Sequence, residues 1–121
     1  MLARALLTAL AFALACARVP TRAADAPEEG EAAFYADRFE GRRTASGEPY
    51  DARQLTCAHR THPFGAILEV TDVATGRSVR VRVNDRGPWT RGRIVDLSKA
   101  AARALGILER GTARVRIVRV E

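Results

Sequence analysis

Cysteine is almost absent from this 121-residue chain: there are two, Cys16 and Cys57. Only Cys57 falls in the part with the composition of a folded domain, so no internal disulfide holds that part together. Between Thr56 and Ala58 it reads as a small buried residue rather than a reactive thiol. Lysine is nearly missing too, since 19 of the 20 basic residues are arginine and Lys99 is the exception. Aromatics make up 6% of the chain, with Trp89 the single tryptophan, and no basic run accompanies them. That leaves neither a stacking ladder nor a charge track for nucleic acid. No G-x-S-x-G surrounds Ser46, Ser78 or Ser98, which excludes the usual serine nucleophile context. His59 and His62, spaced i, i+3 around a proline turn, make no recognised zinc pattern, so no metal and no other cofactor is expected. No internal repeat is visible.

What the chain does have is positive charge, +6 net with a pI near 10.6. Such a surplus suits an anionic partner or a merely arginine-rich soluble surface. Export narrows the partner to an acidic cell-wall glycan. The evidence for export is the N-terminus, where Arg4 precedes an apolar run from Ala5 to Ala15, too short to span a bilayer. Residues 1–17 are therefore read as a secretory signal, with small residues Ala13, Ala15 and Ala17 as cleavage positions. Cys16 offers a lipid-attachment position, which is the one route to a membrane; Ala13 fits that signal poorly, so a soluble periplasmic form is favoured. Residues 18–30, with two prolines and mixed charge, read as a linker, and residues 31–121 as one small domain, expected to be a monomer.

Inside that domain the alternation Val79-Arg80-Val81-Arg82-Val83 is a strand with one buried face. It stops at Asn84-Asp85, and Gly87-Pro88 turns the chain. A carboxylate thus stands where a rigid strand meets an open loop, the usual placing of a reactive group. The same two residues could simply bond the turn backbone. Upstream, Glu31–Ala36 reads as a first strand, Asp37–Asp51 as a polar loop, and Gln54–His59 as a second extended piece. Ala66–Thr71 pairs with Val79–Val83 through a turn at Gly76, and Arg93–Asp96 and Thr112–Val120 complete about six strands. Ser98 caps one helix, Lys99–Leu105, closed by Gly106. So many short strands in about 90 residues are best closed into a small barrel, which leaves no exposed edge.

Three titratable residues interrupt this pattern: Glu48, His59 and Asp85. A carboxylate flanked by a second acid and an imidazole is what acid–base chemistry at a glycosidic oxygen requires. Equally, Glu48 reads as a solvated loop acid and His59 as a strand-end histidine. Trp89 and Tyr35 could stack on sugar rings or belong to the core. Asp96, between Val95 and Leu97, reads as a structural turn partner ahead of Ser98.

The blocks Thr44-Ala45-Ser46-Gly47-Glu48, Leu55-Thr56-Cys57-Ala58-His59, Pro63-Phe64-Gly65, Val83-Asn84-Asp85-Arg86-Gly87-Pro88, Gly92-Arg93-Ile94-Val95-Asp96-Leu97-Ser98 and Leu105-Gly106 resemble, in order and spacing, the rare lipoprotein A family. The resemblance implies a mainly β fold, a six-stranded double-psi β-barrel with one short helix, similar to barwin and expansins. It implies an endolytic lytic transglycosylase acting on peptidoglycan glycan strands stripped of stem peptides. It places the catalytic group on Asp85, Glu48 and His59. Tyr35, Ser46, Asn84, Arg86 and Trp89 are expected toward substrate. Phe34-Tyr35-Ala36 stands where the family usually has Trp-Tyr-Gly, Cys57 where alanine is usual, and His62 where leucine is usual. In this reading Asp85 alone protonates the glycosidic oxygen and then serves as base for the C6 hydroxyl of muramic acid. Glu48 and His59 orient it, and Arg86 holds a substrate carboxylate. The rival expectation is a non-catalytic glycan-binding barrel of expansin type.

Overall fold

The structure, a computed structural model, describes residues 25–121. The expected signal at residues 1–17 and the lipid-attachment position offered by Cys16 lie outside the described residues. Six strands follow in chain order: β1 (Glu28–Phe34), β2 (Thr56–Ala58), β3 (Ile67–Asp72), β4 (Ser78–Asp85), β5 (Arg93–Leu97) and β6 (Ala113–Arg119). They close in the order β1-β5-β2-β4-β3-β6, with β1/β5 and β2/β4 parallel and the other pairs antiparallel. This is the double-psi barrel that the resemblance implies. Closure leaves no strand edge for another chain to pair with.

Alternation along each strand decides what points inward. Leu68 and Val70, Val81 and Val83, Val95 and Leu97, and Val115 and Ile117 are all buried in one core. One helix, α1 (Lys99–Leu105), packs on β1, β4 and β5 and adds Ala101, Ala102 and Leu105 to that core. The Ser98 hydroxyl accepts from the Ala101 N–H, and Gly106 ends the helix at φ 82°, which a side chain would resist. Cys57 is buried in the same core, and burial pushes its thiol well above the usual range, so it stays protonated and inert.

Two boundaries differ from the sequence expectation. β1 begins at Glu28, so Glu28-Glu29-Gly30 of the stretch read as a linker belong to the barrel. Their polar side chains find partners only in three dimensions: Glu29 bonds Arg114, and Glu28 bonds His59. Gly30 lets β1 pass close to β5, since a Cβ there would meet Ile94 at 2.7 Å. β4 also runs on through Asn84 and Asp85, because β2 stays paired with it past an irregularity between Cys57 and Ala58.

Asp72, at the end of β3, is fully buried and ties the β3–β4 turn to the connection before β6. One oxygen accepts from the Ala74 N–H at 3.0 Å and the other from Arg110. Burial works to raise this carboxyl, but those donors outweigh it and hold the group below the ordinary carboxylate range. A carboxyl lowered by folding stabilises the fold fully above its unfolded value of about 3.9, and that stability is lost as pH falls through the folded value. Asp72→Asn should lower stability at neutral pH by about 1–3 kcal/mol. It should also shrink the further loss on acidification below about pH 4, measured by urea unfolding at two pH values. Equal acid losses in the two proteins would rule out Asp72 as a linked group.

Candidate active site

Asp85 is the last residue of β4 and opens into a groove of about 510 Å³. Tyr35 Oη donates to its Oδ2 at 2.5 Å, and the N–H groups of Ala45 and Arg86 each donate to Oδ1 at 2.9 Å. Burial, the bond to Asp85 and that residue's charge together push the Tyr35 phenol far up, so it remains a donor. Tyr35 is itself braced by Tyr50, with ring centroids 4.4 Å apart. Phe39, Pro88 and Trp89 line the same groove, and Trp89 is 75% exposed.

The floor between the strands is Ala58, which lies directly opposite Asp85 on one side and Asp96 on the other. Asp96 therefore lines the groove as well. It is a strand residue, in keeping with the reading of Arg93–Asp96 as a strand, and Arg93 Nη2 donates to its Oδ1 at 2.5 Å. The outward phase of β5, with Val95 and Leu97 pointing in, was the signal for it.

Glu48 is held elsewhere. Both its oxygens take Arg82, at 2.5 and 3.0 Å, and that pairing draws its carboxyl below the usual range. Its loop nonetheless reaches the site through backbone, since the Ser46 N–H bonds the carbonyl of buried Asn84 at 3.2 Å and Ala45 bonds Asp85. Thr44 Oγ1 ties the loop shut, bonding the Glu48 carbonyl and the Ser46 hydroxyl.

His59 is buried, and its ring is fully engaged away from the Asp85 carboxylate. Nδ1 accepts the N–H groups of Thr61 and His62, both at 3.1 Å, which puts the ring proton on Nε2, facing Glu28 at 2.8 Å. Its link to Asp85 is main-chain, N–H to carbonyl at 3.2 Å. Burial first, then His59, keeps the neighbouring His62 below the usual histidine range. Glu28, His59 and His62 place ligand atoms within 4.8 Å of one another. The set does not fit a metal ion, because ligation at Nε2 would move the proton to Nδ1, where two N–H groups already point.

Arg86 borders the groove, but its Nη1 donates to the His62 and His59 carbonyls at 2.8 and 3.3 Å, and its guanidinium sits 4.0 Å from the Phe64 ring. It secures the 59–62 turn. Arg60, which sequence reasoning passed over, bonds the Pro88, Thr90 and Arg93 carbonyls and braces the loop carrying Trp89. No local spacing marks such a contact.

The chain is similar to the probable endolytic peptidoglycan transglycosylase RlpA of Treponema pallidum, 54% identical over 89 residues, 74% of this chain and 28% of that protein. It is 47% identical to the endolytic peptidoglycan transglycosylase RlpA of Neisseria meningitidis over 97 residues, 80% of this chain and 41% of that protein. It thus spans less than half the length of either relative. Among solved structures it resembles the Streptomyces papain inhibitor, with a TM-score of 0.64 and 31% identity over 79% of this chain and 96% of that one. It also resembles apo Clavibacter michiganensis expansin, with a TM-score of 0.62 and 28% identity over 79% of this chain and 51% of that one. A family model described as lytic transglycolase runs over residues 27–117, which takes in all but the end of the barrel and every groove residue. The chain belongs to the lytic transglycolase family.

Proposed function

We propose that this domain is an endolytic lytic transglycosylase that cleaves peptidoglycan glycan strands to 1,6-anhydro-muramic acid ends, acting outside the cytoplasmic membrane. The observation that carries the reading is the state of the three candidate carboxylates. Glu48 is paired with Arg82 and Asp96 with Arg93, whereas Asp85 meets only neutral donors and faces the groove. A hydrolase needs a second free carboxylate to activate water. A transglycosylase needs one, because its substrate brings its own nucleophile.

Protonated Asp85 gives its proton to the glycosidic oxygen as the bond from that oxygen to C1 of muramic acid breaks. The resulting carboxylate then takes the proton of the C6 hydroxyl while that oxygen bonds to C1. Water is not consumed, and Asp85 ends protonated as it began. The Tyr35, Ala45 and Arg86 donors stabilise the carboxylate formed between the two transfers. Glu48 and His59 work as positioning residues: the first fixes the loop that supplies Ala45, the second the main chain of Asp85. Trp89 and Tyr35 offer sugar-stacking faces. A soluble exported monomer, with Cys16 as the alternative lipid anchor, completes the proposal. The rival reading, a glycan-binding barrel without cleavage, draws on the likeness to an expansin.

Denuded glycan strands incubated with the domain separate the two readings by whether anhydro products appear. Asp85→Asn should cut their release by about 100- to 10,000-fold with the circular dichroism spectrum unchanged. The same variant should still sediment with insoluble peptidoglycan, less so as salt is added. Activity surviving in Asp85→Asn would remove this carboxylate from the mechanism.

His59→Ala leaves two N–H groups and Glu28 without their partner. It should lower stability by about 1–3 kcal/mol and the rate by roughly 10- to 100-fold through misplacement. That loss should be the same across about pH 5 to 8, since the imidazole passes no proton to substrate. A limb of the pH–rate profile that vanishes in the variant would instead identify His59 as an acid–base group.

A further inference from the structure

Pro63-Phe64-Gly65 takes no part in the mechanism above, yet it holds an aromatic ring at the surface. Phe64 is 44% exposed, and an exposed apolar side chain by itself means little. What sets this one apart is how firmly it is held. The Gly65 N–H donates to the Val83 carbonyl at 2.8 Å, and the Val83 N–H to the Ala66 carbonyl at 2.9 Å. The Pro63 carbonyl closes the turn by accepting the Ala66 N–H at 3.0 Å. The Arg86 guanidinium lies 4.0 Å from the ring centroid, while its Nη1 is bonded to the His59 and His62 carbonyls. The ring thus rests on a cation that is itself tied to main chain, and much of its surface still meets solvent. A ligand covering a ring already fixed in this way loses little to ordering it.

The place of Phe64 relative to Asp85 gives that surface a use. β4 has β2 along one edge and β3 along the other. The groove lies on the β2 side, lined by Ala58 of β2, Arg93 and Asp96 of β5 and Phe34 of β1. Phe64 stands on the β3 side, beside the end of β4 that carries Asn84 and Asp85. Arg86 joins the two, since it lines the groove and also meets the Phe64 ring. An enzyme that cuts inside a strand must hold sugars on both sides of the broken bond. The groove, with Tyr35, Phe39 and Trp89, receives one arm. The other leaves Asp85 past Arg86, where the flat ring of Phe64 matches the apolar face of a pyranose.

We propose that Phe64, seated on Arg86, is a stacking subsite for a sugar of the glycan strand beyond the groove, on the side of Asp85 away from β2. The proposal rests on the groove being a glycan site, and not on Asp85 performing the cleavage.

The test uses the full chain carrying Asp85→Asn, so that ligand is not consumed. Affinity is measured for denuded glycans graded in length, from a disaccharide to long strands. Phe64→Ala should weaken long strands by roughly 3- to 10-fold, the scale of one aromatic stacking contact, and the disaccharide by less than about twofold. Phe64→Trp should keep the affinity for strands, whereas Phe64→Leu, apolar but not flat, should lose it as alanine does. Val73→Ala, exposed in the turn at the other end of the β3–β4 hairpin, should change neither ligand. In Phe64→Trp combined with Trp89→Phe, indole emission should shift with long strands and not with the disaccharide. A ring that only braced Arg86 would give no such signal. Equal loss on both ligands in Phe64→Ala, or no loss on either, would overturn the subsite. Loss of self-association in that variant with glycan binding unchanged would assign the ring to a contact between copies, and overturn it too. A parent that binds glycan of no length would sink the glycan reading and the subsite together. Strand binding that depends on Phe64, in a native chain that releases no anhydro product, would sink the transglycosylase reading while leaving the subsite standing.

Discussion

The barrel and its groove both hang on β2, a strand of three residues. Thr56, Cys57 and Ala58 pair in parallel with β4 on one side and antiparallel with β5 on the other. Without that bridge the ring of strands is open, and the two strands that carry Asp85 and Asp96 have nothing between them. All three residues are buried, so β2 has no face to offer solvent. Its smallest side chain, Ala58, falls between the two acids, and a methyl there leaves the floor of the groove open. Closure of the fold and clearance for a ligand are set by the same residue.

Neutralisation does the rest of the selection. A barrel this rich in arginine pairs seven of its 14 acids with an arginine, Glu29, Glu48, Asp72 and Asp96 among them. Asp85 escapes because its neighbours are a phenol and two main-chain N–H groups, which bind a carboxylate without supplying charge.

Much of this was legible from the sequence because it is written locally. Valine alternation from Val79 to Val83 marks a strand at any stage of reading, and Ser98 with Gly106 brackets the helix to the residue. Asp85 announced itself by standing where that alternation stops. What could not be read was partnership across the barrel. Glu28 to Gly30 has the composition of a linker and becomes a strand because β6 lies beside it. Glu48 faces Arg82 and His59 faces Glu28, separations of 34 and 31 residues that no spacing rule connects. The ring tautomer of His59 depends on two N–H groups in the following turn, which the pattern around Pro63 did not suggest. Asp96 lies in the strand read for it and is paired with Arg93, but its place in the groove wall depends on β2 lying between it and Asp85, which no local pattern shows.

Arg60 has a consequence for how the molecule meets its surroundings. Its bonds run to three main-chain carbonyls at 2.5 to 3.3 Å, well inside the roughly 8 Å over which physiological salt screens charge. Mobile ions that screen the basic surface over longer distances act far less on contacts of that range. The groove's outer wall, with Trp89 upon it, is thus insulated from ionic conditions that govern encounter. As ionic strength changes, the shape presented to a ligand holds constant while any charge-driven pull toward it rises and falls.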